Sequence, residues 1–211
     1  MVKSHKVIYI LAVIGLLGFS QLAAAGKGPG ASGGQNQNTT SLSNEETATL
    51  TFMREEEKLA RDVYRTLFDV WANPVFSNIS SSEQTHMDAL EVKLNFYQVP
   101  DPVVDDYTGA FTNTDLAGLY LTLTEKGQAS LLDALMVGAR IEELDMQDLQ
   151  DAIDESTHAD LDSVYEELMR GSRNHLRAFV GQIENLGIVY EAQLMEQSEV
   201  DAIVDAPLER G

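Results

Sequence analysis

Four stretches of the chain repeat apolar residues at alternating intervals of three and four, and each repeat is interrupted near its middle by side chains that ligate metals. That period puts the repeating positions on one face of an α-helix, the face a bundle buries. The first stripe is Leu50, Met53, Glu57, Ala60, Tyr64, Leu67 and Trp71; the second is Ile79, Glu83, His86, Leu90, Leu94 and Tyr97. The third runs Leu132, Leu135, Ala139, Glu142, Met146, Leu149 and Ile153, with Asp145 one turn beyond Glu142 and tilted off the stripe. The fourth runs Leu161, Leu168, Ser172, His175, Phe179, Gln182 and Leu186. A charged carboxylate inside a helical core is costly unless it is paired or binds a metal.

Helix boundaries follow from caps and breakers. Ser43 and Glu46 have capping-box spacing, so the first helix is expected over Asn44 to Trp71, ended by Asn73-Pro74. Ser80 and Glu83 repeat that spacing and predict the start of a second helix reaching Tyr97, before Pro100 and Pro102. Residues 99–113 are too irregular for a helix but long enough to carry the chain from one end of a bundle to the other. A short helix is expected over Thr114 to Glu125, a third long helix over Ala129 to Ile153, and a fourth over Ala159 to Leu186 with Gly187 as its stop. With no strand-like alternation, the fold class is all-α.

The flanks read differently. Lys3 and Lys6 precede an apolar run from Val7 to Phe19 that ends in Ala23-Ala24-Ala25, the pattern of a signal peptide over residues 1–25. A retained anchor is the competing reading, but the run is shorter than the roughly 20 residues that span a bilayer. The expectation is therefore an exported protein, periplasmic or secreted, with no stable membrane anchor after cleavage. Residues 26–43 offer almost nothing to bury and read as a flexible linker; residues 44–190 form the bundle domain, and 191–211 an acidic, peripheral C-terminal tail. With 34 acidic residues against 14 basic ones, nucleic acid is not an expected partner.

The chain has no cysteine, so disulfides, zinc ribbons and iron–sulfur clusters are excluded. Any metal chemistry must use carboxylates and imidazoles, a set that suits iron, manganese or zinc. Each interruption alone has a plainer explanation, a hydrogen-bonded core histidine or a glutamate paired with an arginine. In a wholly metal-free reading, Glu57, Glu83 and Glu142 are satisfied by Arg61, Arg140, Arg173 and water. Taken together, however, three buried glutamates without a cation would have to protonate or separate.

Glu57, Ala60, Arg61 and Tyr64 spell Glu-x-x-Ala-Arg-x-x-Tyr, which resembles the first-helix motif of the rubrerythrin branch of the ferritin-like superfamily. The resemblance implies a ferritin-like four-helix bundle with a long crossover and a short extra helix between helices two and three. It also implies Glu57 as an iron ligand, Glu83 as a bridging carboxylate, His86 as a ligand, and Glu142 with Asp145 as the third-helix acid pair, although Glu143 is adjacent and a modest rotation would exchange it with Glu142. His175 matches the fourth-helix histidine, but Ser172 stands where the family has a second bridging glutamate. The segments EEEKLARDVY, VGARIEELDMQDL and GSRNHLRAF are similar to a domain-of-unknown-function family numbered 2202, from about Glu45 to Tyr190.

These readings lead to an exported metal-binding protein with a di-iron or other di-metal site formed by Glu57, Glu83, His86, Glu142, Asp145 and His175. Its expected activity is ferroxidase or the reduction of oxygen or peroxide. The alternative is a non-catalytic binding or structural module with a degenerate or mononuclear site. A homodimer is compatible with either.

Overall fold

The computed structural model describes residues 41–210, so the expected signal peptide and nearly all of the expected linker lie outside the described residues. Six helices and no strand occur among them: α1 (Asn44–Trp71), α2 (Pro74–Tyr97), α3 (Thr114–Gly127), α4 (Leu131–Glu155), α5 (Ala159–Asn185) and α6 (Gln197–Val204). None is long and apolar enough to cross a membrane.

The start of α1 is held by the expected box. Glu46 N–H donates to Ser43 Oγ at 3.0 Å, and Ser43 N–H to Glu46 Oε2 at 2.9 Å. The second box does not form. α2 begins seven residues earlier, at Pro74, because Asn73 caps it by accepting from Val75 N–H at 3.1 Å and proline fits the first helical position. Asn73-Pro74 therefore starts a helix as well as ending one, and Ala72 makes the corner in the left-handed region at φ 50°. Ser80 lies within α2, its hydroxyl bonded to the Ser77 carbonyl.

End-to-end contacts give the topology. Glu46 near the start of α1 accepts from Thr157 N–H just before α5, and Tyr97 at the end of α2 donates to Asp160 at the start of α5. At the opposite end, Trp71 Nε1 donates to the Gly127 carbonyl ahead of α4. Hence α1 and α5 run one way, α2 and α4 the other, and residues 98–113 with α3 return the chain along the bundle.

That crossover is fastened by the charged face of α1. Arg54 bonds Asp101, Lys58 Nζ donates to the Tyr107 carbonyl at 2.9 Å and to Asp62, Arg61 bonds Asp62 and Asp106, and Glu55 accepts from the N–H groups of Thr112 and Asn113. The EEEKLARD run thus divides its side chains between the bundle interior and the loop.

Two apolar clusters fill the bundle. One, around Tyr64, Phe76 and Phe179, lies toward the α3 end; the other, around Leu50, Leu94 and Tyr165, lies toward the opposite end. The residues after 190 are not peripheral. Val200 on α6 is buried with the first cluster, and the buried carboxylate of Glu143 accepts from Tyr190 Oη and from the N–H groups of Gln193, Leu194 and Met195. A backbone docked by one buried acid leaves no apolar periodicity to read in the sequence.

Candidate metal centre

Between the two apolar clusters, at mid-length of all four long helices, the interior turns polar. α1 contributes Glu57, α2 Glu83 and His86, α4 Glu142 and Asp145, and α5 Ser172 and His175; all are buried. The ordinary helical spacing of three residues puts Glu83 beside His86, Glu142 beside Asp145, and Ser172 beside His175.

Glu83 sits between the two imidazoles. Its Oε2 is 2.8 Å from His86 Nδ1, and its Oε1 is 3.0 Å from His175 Nδ1. Glu57 Oε2 approaches His86 Nδ1 to 3.1 Å, and Glu142 Oε2 lies 3.4 Å from His175 Nδ1. The rings stack with centroids 5.5 Å apart. Glu83, His86 and His175 each present a ligand atom within 4.8 Å of the others.

Outer groups fix these side chains. Ser82 Oγ is 2.9 Å from His175 Nε2, and the Tyr64 hydroxyl donates to Glu142 Oε1 at 2.5 Å. The Ser172 hydroxyl donates to Asp145 Oδ2, so the α5 position lacking a carboxylate is met by one from α4. His86 Nε2 faces Gly171, where an added Cβ would come to 2.5 Å. Glu57 Oε1 and Asp145 Oδ1 are buried and accept no hydrogen bond.

The protonation states follow from this crowding. Burial lifts Glu57 to about 7, against the pull of His86 and with help from Glu83 and Glu142. Burial also raises Asp145 and Glu142, Asp145 further through Glu57 and Glu142. For Glu83 burial acts upward too, but the two histidines outweigh it and hold the carboxyl well below its usual range. Burial opposes charge on the imidazoles, yet Glu57 and Glu83 raise His86, and Glu83 and Glu142 bring His175 up to about 10. Both imidazoles are therefore held toward their charged forms by the acids packed around them.

Two of the three arginines of the metal-free reading are engaged elsewhere. Arg61 is drawn out to Asp62, Gln84 and Asp106, and Arg173 is bonded to Glu209. Of the two adjacent acids on α4, Glu142 faces the histidines while Glu143 faces the C-terminal segment.

The profile of an uncharacterized protein domain, DUF2202, matches residues 46–207. The chain belongs to the DUF2202 family. It is 49% identical over 170 residues to an uncharacterized protein, MJ0754, of Methanocaldococcus jannaschii, covering 81% of this chain and 92% of that protein. The crystal structure of hypothetical protein MJ0754 from Methanococcus jannaschii matches with a TM-score of 0.78 at 45% identity, over 89% of this chain and all of that one. The DUF2202 match runs past Tyr190 through α6, in keeping with the docking of that segment on Glu143.

In this DUF2202 chain, sequence periodicity missed Ser82, Gly171 and Glu56. Ser82 precedes Glu83 but reaches across to α5, a contact set by the way the helices pack. Gly171 has no side chain to mark a stripe. Glu56 is hidden by Glu55 and Glu57: in a run of three glutamates only the packing shows that all three are buried.

Proposed function

We propose that this protein holds one or two transition-metal ions in the bundle interior, with Glu57, Glu83, His86, Glu142, Asp145 and His175 as ligands. The observation that carries the reading is the pair of imidazole Nδ1 atoms facing the two oxygens of Glu83, with acids from α1 and α4 beside them. The set contains nitrogen and oxygen donors alone, which suits iron and also accepts manganese or zinc. The unbonded Glu57 Oε1 and Asp145 Oδ1 fit such a role, since a buried carboxylate oxygen without a donor is otherwise costly.

Iron in this setting would supply one-electron chemistry toward oxygen or peroxide, or undergo oxidation itself as substrate. The chain's own groups hold and orient: Ser82 fixes His175, Tyr64 fixes Glu142, and Ser172 fixes Asp145. The two apolar clusters limit water from either end of the bundle. His86 and His175 give up protons as cations enter, so loading releases protons. We place this activity outside the cytoplasm, on the lysine-flanked apolar run at the N-terminus.

Ser172 supports a second reading, a single tightly held ion with a structural role. Metal analysis separates the two. The full chain purified without chelator should carry near-stoichiometric iron, manganese or zinc, lost in a His86→Ala, His175→Ala double variant. About two irons per chain that cycle between oxidation states support oxidoreductase chemistry, and one inert ion supports the structural reading. Protein that stays metal-free on reconstitution with Fe(II) refutes both.

A further inference from the structure

Beside the centre, on the seam between α1 and α4, lies a buried carboxylate that no N–H or hydroxyl group reaches. Glu56 is 3% exposed, and neither of its oxygens has a donor. The groups that act on it are other acids: Asp148 lies within hydrogen-bonding reach, and the charges of Asp145 and Glu57 act on it as well. Asp145, Asp148 and Asp151 follow one another at three-residue spacing along α4, so they share a face. Along it Asp145 is buried, whereas Asp148 and Asp151 are only half-buried. The face therefore runs from the centre toward solvent. Asp145 contributes a third buried oxygen without a donor.

The cations of α1 do not answer these acids. Arg54 is bonded to Asp101 and Glu91, Lys58 to Asp62, and Arg61 to Asp62 and Asp106, partners on α1 itself, on α2 and on the crossover. Two neighbouring carboxylates, one buried and one half-buried, can be reconciled by a shared proton or by a cation. The outward run of acids favours the cation, because it gives a positive ion a continuous path of negative charge and carboxylate oxygen.

We propose that Glu56 and Asp148 form a second divalent-cation site, made of carboxylates alone and adjoining the Glu–His centre at Asp145, through which metal ions pass to that centre. Oxygen-only ligation suits hard divalent ions and gives no imidazole to retain them. The ion here is held more weakly than at the centre. The transit role rests on the reading of the Glu–His cluster as a metal centre; the existence of the weaker site does not.

The test uses cobalt(II) alone as probe, with total bound ions counted by equilibrium dialysis and loading of the Glu–His centre followed by visible absorption. A His86→Ala, His175→Ala variant of the full chain should keep a weaker cobalt ion, and adding Glu56→Gln with Asp148→Asn should remove it. In the chain with both histidines, Glu56→Gln with Asp148→Asn should slow the rise of absorption by about tenfold or more, the scale on which focused charge raises on-rates. Circular dichroism checks that each variant folds.

A His86→Ala, His175→Ala variant that binds no cobalt, or binds it with no dependence on Glu56 and Asp148, overturns the second site and leaves a shared proton only. An unchanged loading rate overturns the transit role. Loss of the centre's absorption in the wild type, with the weaker ion still bound, refutes the Glu–His reading while the second site stands.

Discussion

Gly171→Ala tests whether the position of His86 sets the properties of the centre. A Cβ at residue 171 would lie 2.5 Å from His86 Nε2 and 2.6 Å from Cε1. Ordinary contact begins near 3.4 Å, so the ring must retreat by about 0.9 Å. On its other side Nδ1 stands 2.8 Å from Glu83 Oε2 and 3.1 Å from Glu57 Oε2, with no room to retreat without disturbing both contacts. Overpacking of this kind costs about 1–3 kcal/mol, and shifting a ligand's support costs about 10–100-fold in metal affinity.

The assay pairs urea unfolding of the metal-free protein with competition titration of metal affinity. Gly181→Ala on the same helix is the control. No atom lies within 4 Å of its Cβ position, so it should stabilise by about 0.5–1 kcal/mol through helix propensity alone. In a His86→Ala background the obstacle is gone, and Gly171→Ala should behave like Gly181→Ala. Equal destabilisation by Gly171→Ala in both backgrounds would refute the argument, because the cost would then not come from the imidazole.

Three further outcomes follow from the structure. Because His175 is held near 10 and His86 is raised as well, an entering metal displaces protons: apparent affinity should climb as pH rises toward about 10, with proton release seen by calorimetry in buffers of different ionisation enthalpy. Glu46 is lowered from 4.5 to about 2; burial pushes it up, but bonds from Ser43 N–H, His158 and Thr157 prevail. Its stabilising contribution is therefore complete above its ordinary pKa and lost as pH falls toward 2, so thermal scans should show a steeper acid decline in the wild type than in Glu46→Gln. Glu143→Ala removes the acceptor for three backbone N–H groups and for Tyr190 Oη, at about 1–3 kcal/mol for each group left unsatisfied, and limited proteolysis should then cut within residues 191–205 while the bundle survives.

The stripes in the sequence were enough to give four long helices, because a bundle interior imposes its spacing on any chain that fills it. They also marked Glu57, Glu83, His86, Glu142 and His175, since a ligand-type residue in an apolar stripe stands out by contrast. Caps were less dependable. Ser43 with Glu46 forms the expected box, whereas Ser80 with Glu83 has the same spacing and forms none, because Asn73-Pro74 has already begun the helix.

What the sequence by itself determined is the all-helical class, the crossover and the side chains that can meet in the interior, all of which follow from periodicity and from the breakers between helices. Tertiary structure alone decided which of two neighbouring acids faces in, Glu142 toward His175 and Glu143 toward the C-terminal backbone, a difference of one residue, or about 100° of helix rotation. It also decided that Glu56 is buried without a donor, that Gly171 sets the place of the His86 ring, and that Val200 belongs to the core. Each of these depends on what stands across the gap from the residue, on another helix, and that distance is fixed by packing among segments far apart in the chain.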